Sequence, residues 1–190
     1  MSSATPTPLV DKPGLAQRAA QMLSTPHTML PLTPDEAASV VEHMLLVHYP
    51  PRATVLREGD GLRSNFLLLL LDGDVSVDTL GGTPGDGGDP LVPIAVLGPG
   101  SIIGEMALLD GAPRSATCVA LSPVQAAGLP RQGLEQLIAE NPEVAVKLMI
   151  GLAARIAERL RAMADHLRLY GQLHAAQQAE IARLRGVAAR

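Results

Sequence analysis

The chain has 190 residues, of which 47% are hydrophobic but only 2% aromatic, and its formal net charge at pH 7 is −4. This length suffices for one domain with an extended helix or tail, but not for two full hydrophobic cores. The scarcity of aromatic rings argues against recognition of nucleic acids by base stacking. The negative balance gives no general attraction to phosphate backbones or to anionic membranes.

The N-terminal residues carry no targeting signal. Residues 1–8 contain Ser, Thr and Pro without a positive segment or an apolar run, which is unlike a signal peptide and predicts a cytoplasmic protein. We expect residues 1–31 to be disordered or weakly helical, because only the stretch from Leu9 to Leu23 has apolar residues at helical spacing. The single cysteine, Cys118, allows no intrachain disulfide and is interpreted as a small buried core residue.

The first strong helix signal lies between positions 33 and 36. Thr33 is a suitable N-cap, Pro34 suits the first helical position, and Glu36 is placed to complete a capping box. We expect this helix to run to about His48 and to end before the proline pair at positions 50–51.

From the proline pair to about Leu129 the chain consists of short apolar runs separated by glycine turns. This pattern predicts an all-β segment, and the spacing of the turns suits a roll or barrel of short strands. The run from Phe66 to Leu71 is too short to cross a membrane and is interpreted as a strand buried on both faces. Residues 81–90, rich in Gly and Asp, predict a mobile hairpin tip to which we assign no function. The expected turns cover residues 58–61, 72–74, 98–100 and 110–113.

Helical periodicity returns over residues 132–139 and again after Asn141, in a run that we expect to reach Arg185. Asn141 is a suitable N-cap with a proline at the next position. A 3,4 spacing predicts a heptad seam in the second half of this helix. One apolar stripe on so long a helix requires a partner, which we take to be a second copy of the chain. The seam consists of Leu160, Met163, Leu167, Tyr170, His174, Gln177, Ile181 and Leu184.

The most informative segment covers residues 102–117 and reads IIGEMALLDGAPRSAT. Residues 104–109 predict one short helical turn between two strands. The main-chain amides of such a turn present a local positive potential to an anion. Arg114 is expected on the returning strand, after a tight Gly-Ala-Pro turn.

This segment resembles the phosphate-binding cassette of the cyclic-nucleotide-binding domain family, which includes bacterial catabolite activator proteins, kinase regulatory subunits and gated channels. That cassette typically reads Phe-Gly-Glu, Leu or Met, Ala, Leu, a short spacer, then Pro-Arg and a small residue followed by Ala. Only Ile103 departs, because it stands where Phe is usual. The resemblance extends from about Leu32 to Leu169 and includes the turn at 55–60 and the hairpin strand at 70–75.

The resemblance implies an α+β fold: a double-stranded β-helix, or jelly-roll-like β-roll, flanked by helices and followed by a long C-terminal helix. The implied organisation is a leader over 1–31, the binding roll over 32–140 and a dimerisation helix over 141–190. Family transcription factors continue into a helix-turn-helix domain, whereas this sequence ends at Arg190. We therefore expect no direct DNA binding, no enzyme activity and a signal passed to an unknown partner protein. The arginines after Lys147 are interpreted as a solvated helix flank.

The resemblance also implies which residues bind the ligand. Gly104 would let the backbone approach it, and Glu105 would accept a hydrogen bond from a ribose 2′-hydroxyl. Arg114 would pair with the single negative charge of a cyclic phosphate. The amides that follow Glu105 would face that phosphate, and Ser115 would add a hydroxyl donor. The implied set is Gly104, Glu105, Met106, Ala107, Arg114, Ser115 and Ala116.

Recognition of the base is less well specified by the sequence. In the catabolite activator proteins, polar side chains about midway along the long helix contact the adenine. Here the corresponding stretch is 159–164, with Met163 and Ala164 where hydroxyl residues are usual. We keep Arg159 and Met163 as candidate base contacts, and we expect cAMP as the ligand, with cGMP as the alternative and no cofactor. The same two departures leave open a ligand-free β-roll scaffold that dimerises through its C-terminal helix.

A third hypothesis is a cupin-like metalloenzyme, because double-stranded β-rolls often hold metal ions. Its ligands are missing from the sequence. His27, His43 and His48 precede the expected β-region, while His166 and His174 lie in the expected final helix. Since no histidine cluster can then line the roll, we expect no metal site and no catalytic residue.

Overall fold

The computed structural model describes residues 7–25, 31–61, 65–80 and 91–188. Within these ranges the chain forms short antiparallel strands flanked by helices, with a long helix at the C-terminal end, so the expected α+β fold class is confirmed. The elements in chain order are β1 (Thr7–Pro8), a 3-10 turn (Leu9–Asp11), α1 (Pro13–Leu23), α2 (Pro34–Val41), β2 (Leu45–Tyr49), β3 (Thr54–Leu56), β4 (Phe66–Asp72), β5 (Val75–Leu80), β6 (Leu91–Leu97), β7 (Ile102–Ile103), α3 (Glu105–Asp110), β8 (Thr117–Ala120), β9 (Val124–Pro130), α4 (Arg131–Glu140) and α5 (Pro142–Ala188).

The strands form two antiparallel sheets. The larger sheet has the strand order β1-β2-β9-β4-β7, and the smaller one has the order β3-β8-β5-β6. Both sheets contribute to one buried cluster between them, which makes the pair a β-roll. We call this cluster the roll core; it consists of Val55, Leu56, Leu68, Leu70, Val75, Val77, Ile103, Cys118, Ala120, Val124 and Ala126.

The other face of the larger sheet packs against the helices and forms a second cluster, the helix-side core. Its members come from the strands and connecting segments, from α1, α2, α3 and α4, and from the first turns of α5. They are Leu9, Ala19, Leu23, Leu32, Ala37, Val40, Val41, Met44, Leu46, Leu67, Leu69, Leu71, Ile102, Leu108, Ala127, Leu129, Leu134, Leu137, Val144, Ala145, Leu148 and Leu152.

Strand β4 separates the two cores. Leu68 and Leu70 belong to the roll core, whereas Leu67, Leu69 and Leu71 belong to the helix-side core. Since successive side chains of a strand point to opposite faces of the sheet, a run of leucines fills both cores at once. The prediction of a strand buried on both faces is confirmed.

The capping box at the start of α2 is confirmed. The Glu36 main-chain N–H donates to Thr33 Oγ1 at 3.3 Å, and the Thr33 N–H donates to Glu36 Oε2 at 2.8 Å. The predicted end of this helix near His48 is wrong, because α2 ends at Val41 and residues Leu45–Tyr49 form β2. All five residues of β2 pair with β9, and periodicity alone cannot distinguish a short buried strand from a helix segment.

The N-terminal segment is part of the fold. Residues Thr7–Pro8, which we expected to be disordered, pair with β2 as β1. In the following turn and in α1, Leu9, Ala19 and Leu23 are buried in the helix-side core. Packing of this kind stabilises a helix whose own propensity is modest. Residues 1–6 and the predicted hairpin tip at 81–90 lie outside the described residues.

Helices α4 and α5 follow the predicted pattern, with a break at Asn141. This residue ends α4, and its carbonyl accepts the first α5 hydrogen bond, from the Ala145 N–H at 3.0 Å. Helix α5 begins at Pro142 and runs to Ala188, slightly beyond the expected Arg185. No helix in the described part of the chain is long and apolar enough to cross a membrane.

The chain divides into two compact units, Met1–Leu152 and Ala153–Arg190. The first turns of α5 belong to the first unit because Val144, Leu148 and Leu152 are buried in the helix-side core. The second unit is helical over 153–188 and exposes several large apolar side chains. These are Leu160, Met163, Leu167, Leu169, Tyr170, Leu173 and Ile181.

Candidate functional site

The cassette begins with Gly104, a position where the backbone conformation and the close contacts require glycine. After β7, Gly104 adopts φ 77°, and α3 then ends at Gly111 with φ 70°. Both values are left-handed, a conformation that favours glycine. A Cβ on Gly104 would lie 2.5 Å from Arg114 Nη1 and 3.0 Å from the Phe66 carbonyl oxygen. The predicted short helical turn is confirmed, and Gly104 brings its backbone close to the arginine.

Arg114 lies in the loop between α3 and β8, so the prediction that it lies on the returning strand is wrong. Strand β8 begins only at Thr117. The preceding Pro113 has no N–H to continue a strand ladder. Arg114 is instead fixed by two main-chain hydrogen bonds: its N–H donates to the Asp60 carbonyl and its own carbonyl accepts from the Gly59 N–H, both at 2.9 Å.

The Arg114 guanidinium is turned into the protein, and the residue is only 4% exposed. Nη1 donates to the Gly104 carbonyl oxygen at 2.6 Å, and Nη2 donates to the Phe66 carbonyl oxygen at 2.9 Å. The Cζ atom also lies over the Phe66 ring, 4.7 Å from its centroid. The guanidinium is therefore held by the first residue of β4 on one side and by the start of the cassette on the other.

Buried charges of both signs meet at this end of the roll. Burial lowers the pKa of Arg114, while electrostatic interactions with Cys118, Glu105 and Asp60 raise it. Glu105, the first residue of α3, is 3% exposed. Burial raises the pKa of Tyr49, and the positive charge of Arg114 opposes that rise. A buried cation is stable only when it is paired and hydrogen-bonded. The Arg114 side chain can pair with an anionic group, and the Glu105 carboxyl group can accept hydrogen bonds from hydroxyl donors.

The remaining predicted cassette residues surround this pair. The Ser115 hydroxyl lies 3.8 Å from Met106 Sδ, and both residues are exposed. Ala107 is a buried residue of α3, and Ala116 packs against the roll core. Thus the structure brings Gly104 and Arg114 into contact, and it places Met106 next to Ser115.

The candidate base contacts lie in the other compact unit. Arg159 and Met163 are residues of α5 beyond position 152, and Met163 is 60% exposed. Their contact with a base stays a prediction.

Two residues that the sequence analysis did not single out contact the cassette. Phe66 provides both a ring and a carbonyl to Arg114. Arg131, the first residue of α4, donates from Nη2 to the Leu108 carbonyl oxygen at 2.9 Å and so links α3 to α4. Phe66 is the sole Phe of the chain, and this was the only signal in the sequence that could have drawn attention to either residue. The contacts themselves join residues 48 and 23 positions apart, which no local pattern connects.

The expected position of one histidine, His48, is wrong. His48 lies on β2, not before the β-region as expected, and its side chain is exposed. Among the described residues, no group of three or more His, Cys, Asp or Glu side chains is arranged to hold a metal ion.

A β-roll with a short helix and a buried arginine at one end defines a class of regulatory ligand-binding domain. Residues 46–141 match the family model described as "Cyclic nucleotide-binding domain". The match covers half of the chain, and the chain belongs to this family. The resemblance seen in the cassette is confirmed.

Relatives and solved structures agree with this assignment. The CRP-like cAMP-activated global transcriptional regulator of Mycobacterium tuberculosis is 27% identical over 132 residues, which make up 70% of this chain and 56% of the regulator. The chain therefore spans little more than half of that relative. A cyclic nucleotide-binding domain from Methylobacillus flagellatus superposes with a TM-score of 0.67 at 32% identity, covering 80% of this chain and 83% of that one. The catabolite activator protein of Thermus thermophilus gives 0.63 at 30% identity, covering 76% and 62%.

Proposed function

We propose that this chain is a cytoplasmic, non-enzymatic sensor that binds cAMP in its β-roll and signals to a partner protein through a conformational change. The observation that carries the proposal is the buried guanidinium of Arg114 inside the family's cassette, with the buried carboxylate of Glu105 nearby. In a site of low dielectric constant, a fixed positive charge strongly favours one anionic group. A cyclic mononucleotide carries one such charge.

Binding would exchange the acceptors around Arg114. In the structure its Nη1 and Nη2 donate to two uncharged main-chain carbonyls, those of Gly104 and Phe66. A phosphate oxygen is a stronger acceptor because charge-assisted hydrogen bonds are roughly twice as strong as neutral ones. Glu105 would accept the ribose 2′-hydroxyl, which favours ribonucleotides over deoxyribonucleotides. Ser115 would donate its hydroxyl to the phosphate.

The signal would leave the cassette through α3. The carbonyl of Leu108 binds Arg131 of α4, and the Leu108 side chain is buried in the helix-side core together with side chains of α4 and α5. A shift of α3 on binding therefore acts directly on α4, which precedes α5 in the chain. Two arrangements of these helices, differing in ligand affinity, would account for the change.

We also propose that the chain forms a homodimer through α5. The side chains of Leu160, Met163, Leu167 and Tyr170 are at least 60% exposed and occupy successive a and d positions of a heptad repeat. An exposed stripe of this size marks an association surface. Sedimentation equilibrium of the full chain measures the oligomeric state, and a monomer at all accessible concentrations would overturn this part.

Isothermal titration calorimetry of the full chain with cAMP tests the proposal. We expect Arg114→Ala to weaken binding by about 2 kcal/mol or more, at least about thirtyfold, because a charge-assisted contact is lost. Arg18→Ala, which removes an exposed arginine of α1, is the matched control and should bind as the wild type does.

Since Arg114 also holds two main-chain carbonyls, circular dichroism must show that the variant is folded, and Arg114→Lys provides a second variant that keeps the charge but loses the planar fork. Unchanged affinity in folded Arg114→Ala would contradict the mechanism. Tighter binding of cGMP than of cAMP would contradict the choice of base, which is supported by the name of the mycobacterial relative and by Ser115.

The alternative is a ligand-free scaffold. It is favoured by Met163 and Ala164, which stand where relatives place hydroxyl residues, and by the two carbonyls that already bind the Arg114 guanidinium. A native-state ligand must raise the melting temperature. If millimolar cAMP or cGMP leaves the melting temperature unchanged, the scaffold hypothesis is favoured over the sensor hypothesis.

A further inference from the structure

Phe66 contacts Arg114 in two independent ways. It is the only phenylalanine of the chain and the first residue of β4. Its carbonyl oxygen accepts a hydrogen bond from Arg114 Nη2 at 2.9 Å, and its ring lies beneath Arg114 Cζ at 4.7 Å from the centroid. The ring itself packs against the roll core, so it does not move freely.

The ring and the two carbonyls differ in what they do when an anion arrives. The carbonyls of Gly104 and Phe66 accept hydrogen bonds from Nη1 and Nη2 of Arg114, and a phosphate would bind the same guanidinium, so the hydrogen bonds of these two nitrogens can rearrange when it arrives. An aromatic face attracts the positive charge through its quadrupole and is not an in-plane acceptor that the phosphate must displace. The ring can therefore keep its hold on the guanidinium while the hydrogen bonds are exchanged.

We propose that Phe66 is a positioning residue for the ligand: its ring holds the Arg114 guanidinium in the orientation that receives the anionic phosphate. This inference rests on the proposed function. A guanidinium that must find its orientation at the moment of binding loses conformational freedom, and preorganisation avoids that loss. The remaining residues of β4 up to Leu71 are all leucine. A leucine at position 66 could fill the space of the ring but could not attract a cation.

The substitution Phe66→Leu removes the ring and keeps both the main-chain carbonyl and an apolar side chain. We expect it to weaken cAMP binding about fivefold or more, measured by isothermal titration calorimetry on the full chain. Phe66→Tyr, which keeps the aromatic face, should restore affinity to within about twofold of the wild type. A purely structural role predicts no such difference between an aliphatic and an aromatic replacement of similar burial.

A double-mutant cycle makes the test specific. If Phe66 acts through the guanidinium, the Phe66→Leu effect must disappear in the Arg114→Ala background. An equal loss of affinity in both backgrounds, or wild-type affinity in Phe66→Leu, would overturn the inference while leaving the proposed function intact.

A measurement without ligand distinguishes failure of the proposed function from failure of the inference about Phe66. The Arg114 Nε–H resonance should experience the ring current of Phe66 in the wild type and lose it in Phe66→Leu, as seen by heteronuclear NMR. If the wild type binds neither cAMP nor cGMP, the proposed function fails and the ligand role of Phe66 fails with it. If the wild type binds cAMP but the resonance is the same in Phe66→Leu, the inference alone fails.

Discussion

The two cores on either side of β4 are built from the same kinds of side chain but differ in what lies beside them. The helix-side core joins one sheet face to α1, α2, α4 and the first turns of α5 and consists of apolar residues. The roll core is also apolar. Phe66 packs against it, however, and the buried guanidinium of Arg114 lies over the Phe66 ring.

This difference separates stability from ligand recognition. Burial of apolar surface is non-directional and contributes wherever it occurs, so both cores hold the fold together. A buried charge is tolerated only where specific partners surround it, and those partners lie at one end of the roll. Substitutions on the two faces of the same strand, at the cassette and on the helix side should therefore have different consequences.

The largest expected effect is on stability. Leu69→Ala and Leu68→Ala truncate neighbouring residues of β4 that are at most 1% exposed, and each should lower the free energy of unfolding by about 2–5 kcal/mol. Leu68→Ala should also weaken cAMP binding more than Leu69→Ala does, because Leu68 packs in the roll core together with Ile103, the residue before Gly104. Urea denaturation and calorimetry measure the two quantities. Equal affinities in the two variants would contradict the proposed division between the cores.

A smaller effect is expected from a methyl group at the start of the cassette. Gly104→Ala strains a left-handed residue by about 1–3 kcal/mol and also forces its Cβ against Arg114 Nη1. Gly100→Ala is the matched control, since Gly100 has φ 86° but nothing within 4 Å of the added atom.

Both glycine variants should lose stability in urea denaturation, and Gly104→Ala should lose more because its Cβ also meets Arg114 Nη1. Only Gly104→Ala should lose cAMP affinity, by at least about tenfold. Comparable affinity loss in Gly100→Ala would mean that backbone strain, not the displaced guanidinium, is responsible.

The smallest effect concerns a pH-dependent ion pair on the helix side. Lys147 Nζ of α5 lies 2.5 Å from Glu36 Oε1 of α2, and its hydrogen bond, followed by that from Thr33, lowers the pKa of Glu36 from 4.5. A depressed folded-state pKa contributes stability above the unfolded pKa, and this contribution is lost as pH falls through the folded pKa. The free energy of unfolding should therefore fall less steeply below pH 4.5 in Glu36→Gln than in the wild type.

Glu135→Gln, which removes an exposed carboxylate from α4, serves as the control for this pH titration and should retain the wild-type slope. Cyclic AMP affinity at pH 7 should change little in Glu36→Gln, because Glu36 belongs to the helix side. A large change would show that the ion pair takes part in the ligand response.

Patterns that act within a few residues were predictable. The capping box of Thr33 and Glu36, the strand at 66–71 and the short helix that follows Gly104 all appear where the sequence predicts them. Each depends on a local preference: a cap, an alternation with period 2 or a left-handed φ.

Predictions failed where distant segments compete for a stretch of chain. Residues Leu45–Tyr49 look like the end of a helix, but pairing with β9, about 80 positions later in the sequence, makes them a strand. Arg114 leaves the expected strand because its main chain pairs with the turn at 59–60. In both cases hydrogen bonds to remote residues override local propensity.

By itself the sequence determined the family, the order of the main elements and the cassette residues, because these are written in short motifs and in periodicities within single elements. Only the tertiary structure decided which leucines of β4 fill which core and which atoms hold the guanidinium. The partners of Arg114 come from positions 10 and 48 residues away, and no local rule connects residues at such separations. Their contact exists only once the two sheets have closed into the roll.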